Sequence, residues 1–178
     1  IKGVHRKHFP KLSIVADISS HVIICGFGSR GPCPDVAQLE RALDTIPKSA
    51  VIGTLIADAG YDSEQNHIRL RSRNIRSLIP PWHGRGRTSG KPPKGYWRRK
   101  MFLRFRTGTP KIYKQRWQIE TIFSMLKRNL SHELRARSFF SQNRELILKI
   151  LTHNTMIVLY LGSFSTEQRC YLAKLARF

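Results

Sequence analysis

The residues best suited to chemistry lie in positions 113–127, where a single acid stands among cations. On an α-helix, with about 100° per residue, three polar side chains fall within about 40° of Glu120. They are Tyr113, Arg116 and Lys127. No other Asp or Glu occurs in residues 65–131. A lone carboxylate in such surroundings suits a metal ion held against a phosphate backbone, although a solvated helix face with ion pairs shows the same pattern.

A second carboxylate, Asp58, follows an apolar run at residues 51–57 that has the length of a buried central strand. Two-metal phosphoryl chemistry needs carboxylates from separate elements that converge on cations about 3.5 to 4 Å apart. Asp58 and Glu120 supply two such ligands if their elements meet. The structural alternative for Asp58 is an acid that caps the turn after the strand.

The elements that must position these acids alternate between strands and helices, which predicts an α/β fold with a mixed sheet. The predicted strands are 11–16 and 22–27, joined as a hairpin, then 51–57 and 75–79. The predicted helices are 34–47, 62–73, 113–127, a buried helix at about 142–161 and a short basic one from residue 166. Residues 82–111 read as a basic insertion with aromatic residues, suited to stacking on bases and contacting phosphates, or to a solvated loop.

The charge of the chain points to its partner. A formal net charge of +21 arises from 32 Lys and Arg against 11 Asp and Glu, which exceeds what solubility requires and favours a polyanion such as DNA. A membrane surface is the weaker alternative, because the cations alternate with Gly, Pro and aromatic residues. The apolar run at 146–161 is interrupted by Lys149, His153 and Asn154, so we expect no membrane span. Three cysteines without a CxxC pair support neither a disulfide framework nor a zinc site and indicate a reducing compartment.

The segment Ala57-Asp58-Ala59-Gly60-Tyr61-Asp62-Ser63, taken with the four polar residues of positions 113–127, resembles the catalytic domain of bacterial insertion-sequence transposases of the DDE type. Ile79-Pro80-Pro81, Arg116-Trp117 and Asn154 extend the resemblance. It implies a ribonuclease-H-like fold in residues 1–128, with C-terminal helices in 129–178 packed on it. It also implies DNA cleavage and strand transfer with Mg²⁺, or alternatively Mn²⁺, bound by two aspartates and a glutamate.

Carried over to this chain, the resemblance makes Asp58 the second metal-binding aspartate and Glu120 the glutamate. Tyr113, Arg116 and Lys127 become DNA contacts. Trp117 becomes a residue that stacks on a displaced base, with a core role as its alternative. The family further implies a homodimer assembled on DNA, in the bacterial cytoplasm with the nucleoid.

The first aspartate of the family lies on an opening strand that we expect to precede this chain. Asp17 is interpreted as a turn residue, Asp35 as an acid in the first turn of a helix, and Asp62 as a helix cap. The hypothesis is therefore an N-terminally truncated transposase domain, lacking its first sheet strand, that binds DNA but does not cut it alone. The alternatives are a non-catalytic DNA-binding remnant and a nuclease of the same fold.

Overall fold

The computed structural model describes residues 9–47, 49–82 and 91–162. They divide into two compact units, one of residues 9–32 and 118–162 and one of residues 33–117 with the gaps just given. This division falls at other places than the predicted boundary at residue 128, and the assignment of 1–128 and 129–178 as domains stays a prediction. Each unit contains one two-stranded sheet, so the described chain is mixed α/β. A single ribonuclease-H-like sheet also stays a prediction.

The first unit begins with the predicted hairpin. Strands β1 (Pro10–Ala16) and β2 (Ile23–Arg30) pair antiparallel, with Pro10 opposite Arg30 and an irregularity near Ala16. Asp17 closes the turn, because its Oδ2 accepts hydrogen bonds from the Ser20 backbone N–H at 2.8 Å and from the Ser20 hydroxyl at 2.7 Å. The interpretation of Asp17 as a turn residue is confirmed.

Two helices complete the first unit: α4 (Gln118–Leu130) and α5 (Phe139–Gly162). The buried residues Ile122 and Leu126 of α4 pack with Ile23 of β2 and Ile150 of α5. Residues four apart lie on one face of a helix, so α4 presents a single apolar stripe to this core. The polar residues of α4 are left on its other faces.

Two asparagines of α5 fix this helix along β2. Asn154 accepts from the Ile23 N–H at 2.9 Å and donates to the Ile23 carbonyl at 2.8 Å, while Asn143 accepts from the Gly28 N–H at 2.9 Å. Eleven helical residues and five strand residues both span about 16 Å, so the two spacings match. Gly28 is needed there, because a Cβ would lie 2.6 Å from Asn143 Oδ1.

The prediction of a buried C-terminal helix is wrong in one respect. Leu146, Ile150 and His153 form a single buried face of α5, whereas Leu148 and Leu151 on another face are exposed. The interrupting polar residues predicted a buried helix, but they do not tell how much of its apolar surface is covered. Among the residues that the structure describes, no helix combines the length and the hydrophobicity that a membrane span requires.

The second unit is built on a strand, helix, strand segment. Strands β3 (Thr54–Ile56) and β4 (Arg76–Leu78) pair in parallel and are connected through α2 (Glu64–Ser72), while α1 (Asp35–Thr45) contacts the turn that follows β3. Strand β3 is shorter than the predicted 51–57, and Val51 is fully exposed. The partner strand β4 has only three residues, so the residues before Thr54 have no strand residues opposite them to pair with. Asp35 occupies the first turn of α1, as predicted.

Two further sequence predictions need correction in this unit. The N-cap of α2 is Ser63, whose hydroxyl accepts from the Asn66 N–H at 3.1 Å, and not Asp62. Residues 96–106 of the predicted basic insertion, whose alternative was a solvated loop, form a helix, α3 (Tyr96–Arg106), in which Met101 is buried. The sequence shows no capping residue at the start of α3, because the first backbone N–H groups of this helix are capped by Glu64 of α2 and not by a neighbouring residue.

The predicted helix at 113–127 consists of two parts. Residues Lys111–Trp117 form a 3₁₀ segment in the second unit, and the α-helix begins only at Gln118 in the first unit. A 3₁₀ segment turns about 120° per residue, so the angles calculated for Tyr113 and Arg116 on an ideal α-helix do not hold. The angle between Glu120 and Lys127 does hold, since both lie within α4.

Candidate active site

Asp58 lies two residues after the end of β3 and is the N-cap residue of a short 3₁₀ turn, Ala59–Tyr61. Its carbonyl accepts from the Tyr61 N–H at 3.0 Å, while the side chain forms no cap on that turn. The turn-capping alternative for Asp58 is therefore not what the structure shows. With 58 % of its side chain exposed, the carboxylate of Asp58 is open to a ligand from solvent.

Arg116 holds the carboxylate of Asp58 at both oxygens. Arg116 Nε lies 3.2 Å from Oδ1, and Arg116 Nη1 donates to Oδ2 at 3.3 Å. A planar guanidinium is suited to such a two-point contact, which orients the carboxylate as well as balancing its charge. The structure thus joins two of the residues that the sequence proposed, although they are 58 positions apart.

Tyr113 lies near the same pair. Its ring packs edge-on against Phe105, with ring centres 5.1 Å apart. Burial, and then the charge of Asp58, raise the pKa of the Tyr113 phenol, against a smaller opposite effect of Arg116. Tyr113 therefore remains a hydrogen-bond donor at neutral pH.

Asp35, which the sequence does not suggest as a site residue, is a neighbour of this site. A Cβ on Gly60 would lie 2.9 Å from Asp35 Oδ2, so the turn after Asp58 runs directly beside this carboxylate. In the sequence alone, the position of Asp35 at the start of a helix is a sufficient reason for an acid there. Only the contact of α1 with the turn, between residues 25 positions apart, places a second acid near the end of β3.

The pKa of Tyr61 depends on both of these acids. Burial, followed by the carboxylates of Asp35 and Asp58, raises the pKa of Tyr61 to about 12. We expect Asp35→Asn to lower this pKa towards the ordinary value of about 10 without reaching it, because burial remains. The absorbance of tyrosinate, followed through alkaline pH and assigned with a Tyr61→Phe variant, measures the shift. Asp44→Asn on the same helix serves as the matched control, and an equal pKa in both variants would contradict the proximity of Asp35.

Glu120 and Lys127 lie on α4 in the first unit. Glu120 is exposed in the first turn of the helix, and Lys127 is exposed in its last turn. The start of α4 is held by Gln118, whose Oε1 lies 2.8 Å from His21 Nε2 at the hairpin turn. Since Asp58 belongs to the other unit, the meeting of Asp58 and Glu120 stays a prediction.

Trp117 ends the 3₁₀ segment with 54 % of its surface exposed. This exposure argues against the core role that was its alternative. Its stacking on a base stays a prediction.

Within the described residues, no group of three or more His, Cys, Asp or Glu side chains is arranged to hold a metal ion.

A family model described as a transposase DDE domain matches residues 1–155 of the chain. The match includes Asp58, Glu120 and the cations around them. A search of curated proteins and a search of solved structures found no match.

Proposed function

This chain belongs to the transposase DDE domain family, and on that premise we propose that Asp58 and Glu120 hold the divalent cation of a site that cuts and joins DNA. Membership of the family indicates the class, a transposition-related nuclease. The observation that supports Asp58 is its open carboxylate at the end of β3, oriented at both oxygens by Arg116. A ribonuclease-H-like fold is part of the proposal.

The donor atoms suit the ion. Mg²⁺ and Mn²⁺ prefer carboxylate oxygens, and both Asp58 and Glu120 present exposed carboxylates. A bound cation would supply charge stabilisation at the phosphate and a water that deprotonates more readily. Two carboxylates are fewer than the three that the family resemblance implies. We therefore expect this chain to bind DNA without cutting it.

The other residues of the site act on the DNA. With its raised pKa, Tyr113 donates a hydrogen bond to a phosphate oxygen. Lys127 lies about 10 Å along α4 from Glu120, so it contacts a phosphate some nucleotides from the cut. Trp117 stacks on an unpaired base. We further propose a homodimer assembled on DNA in the bacterial nucleoid.

Arg116 competes with a cation for the carboxylate of Asp58. In the absence of DNA, we expect Arg116→Gln to raise the affinity for Mn²⁺ by about 3- to 10-fold, since a neighbouring positive charge is removed. Affinity for DNA should fall in the same variant. Calorimetry and fluorescence anisotropy measure the two effects, with Arg128→Gln as a control that removes one charge from α4. A weaker Mn²⁺ affinity in Arg116→Gln would show that the guanidinium is needed to position Asp58.

The test of the proposed function is a calorimetric titration of Mn²⁺ into this chain, followed by an assay of nicking on plasmid DNA. Uptake of the ion without nicking supports a cation site that lacks a ligand. Absence of uptake would favour a DNA-binding remnant, and hydrolysis without strand transfer would favour a nuclease.

A further inference from the structure

The exposed surface of α3 has an ordered arrangement of charge. Tyr96 and Leu103, which are 67 % and 51 % exposed, stand seven residues apart and so lie on one line along the helix. At about 100° per residue, exposed cations flank this line on both sides. Arg99 and Arg106 lie on one side, and Lys100 and Arg104 lie on the other. These six residues are called the basic face of α3.

The opposite side of α3 is firmly attached to the second unit. Met101 is 1 % exposed, and the carboxylate of Glu64 accepts from the Trp97 N–H at 3.0 Å and the Arg98 N–H at 3.1 Å. Arg98 Nε also donates to Asp62 Oδ2 at 2.9 Å. Glu64 and Asp62 thereby anchor the helix from below. The basic face is held in a fixed orientation before any partner binds.

The charge of the basic face is not balanced locally. Helix α3 contains no acid, and in the part of the chain that the structure describes none of the four cations of the basic face forms an ion pair with a carboxylate. Other acids of the unit are engaged elsewhere: Glu40 with Arg69, and Asp44 with Arg73. A fixed row of unneutralised charge is complementary to a polyanion.

The width of α3 favours one kind of polyanion, duplex DNA. A helix with its side chains is about 10–12 Å wide, and the major groove of B-DNA is about 12 Å wide. Cations on both flanks of such a helix reach the phosphates of both strands. A helix lying on a membrane would bury a broad apolar stripe, whereas the basic face offers only Tyr96 and Leu103.

We propose that the basic face of α3 lies in the major groove of duplex DNA. Arg99 and Arg106 contact the phosphates of one strand, and Lys100 and Arg104 contact those of the other. Tyr96 and Leu103 then face the edges of the bases. This inference rests on DNA being the partner in the proposed function, but on neither the cation site nor cleavage.

The test measures binding of this chain to a labelled DNA duplex by fluorescence anisotropy at several salt concentrations, without divalent ions. In the double variant Arg99→Gln with Arg106→Gln, we expect the slope of log affinity against log salt to fall by about 2, since each phosphate contact contributes about 0.9. Both positions are exposed, so the thermal midpoint should stay unchanged. Lys100→Gln with Arg104→Gln should act in the same way.

The matched control is Arg69→Gln with Arg73→Gln, which removes the same charge from α2 and from the residue that follows it in the same unit. Its salt slope should change by less than about 1, because both side chains are engaged by acids. An equal loss in the control would reduce the effect to net charge and overturn the proposal. If the unchanged chain fails to bind the duplex, the proposed function itself fails. If it binds and the variants bind equally well, only the role of α3 fails.

Two other ligands complete the test. A single strand of the same length, bound as tightly as the duplex and weakened equally in the variants, would overturn docking in a groove. Vesicles containing phosphatidylserine, bound through the same residues while duplex binding is unaffected, would make a membrane surface the partner. We expect the duplex to be preferred over both.

Discussion

Replacing Asp62 by alanine is expected to destabilise the second unit by about 3 to 5 kcal/mol, the usual cost of removing one member of a buried ion pair. The side chain of Asp62 is inaccessible to solvent. Its Oδ2 lies 2.8 Å from Arg98 Nη2 and accepts from the Trp82 N–H at 2.8 Å. Its Oδ1 lies 3.3 Å from His67 Nε2. Alanine would leave all three groups without this partner.

Urea unfolding followed by circular dichroism measures the loss. The matched control is Asp44→Ala, which removes an acid of the same unit from an exposed pair with Arg73. Exposed pairs contribute about 0 to 1 kcal/mol, so the control should unfold almost like the unchanged chain. Equal stability of the two variants would show that the buried network contributes little.

The same carboxylate makes stability depend on pH. Burial alone would raise the pKa of Asp62, but hydrogen bonds from His67 and Arg98 and the backbone bond from Trp82 hold it below its usual value. A lowered pKa in the folded state gives stability that is present above the unfolded value of about 4 and is lost as pH falls through the folded value. Asp62→Asn should flatten this acid limb in urea titrations. An unchanged limb would assign it to other acids.

Binding of Mn²⁺ is expected to weaken by about 100-fold or more in either Asp58→Asn or Glu120→Gln. Replacing groups that only support metal ligands already lowers metal affinity by about 10- to 100-fold. These variants remove the negative charge of a proposed ligand itself, so the loss should be larger. Both replacements keep the size of the side chain, and both residues are exposed, so folding should be preserved. Calorimetric titration of each variant gives the affinity.

Glu133→Gln is the matched control, because it neutralises another exposed glutamate of the first unit. Asp35→Asn is a further variant, since Asp35 lies beside the turn that follows Asp58. Loss of binding in Asp35→Asn and Asp58→Asn, with Glu120→Gln unaffected, would place the cation in the second unit alone. That result would contradict the pairing of Asp58 with Glu120.

The predictions for Asp62 and for the pair Asp58 and Glu120 concern acids whose roles the neighbouring residues in the sequence explain only in part. Asp62 stands one residue before Ser63, the actual cap, so a helix start was correctly indicated but the wrong residue was assigned to it. The burial of Asp62 depends on Arg98, 36 positions away. No local pattern reveals such a contact. A sequence with an acid near a helix start predicts a cap, because that use requires no distant partner.

Local patterns did determine a good part of this protein. Two short apolar runs and a polar turn were sufficient for the hairpin, and helical spacing was sufficient for α1. The segment from Ala57 to Ser63, with the acid and cations of residues 113–127, was sufficient for the transposase family. These features depend on residue type and on spacing over a few positions. They can therefore be read before the chain is folded.

Only the tertiary structure decided how the polar side chains are used. It joined Arg116 to Asp58, brought Asp35 beside Gly60, and capped α3 with Glu64 from another helix. The physical reason is that a carboxylate acts over a few ångströms, whatever its separation along the chain. Which cation or N–H group comes within that distance is set by the packing of the apolar faces beneath, and the order of residues alone does not contain it.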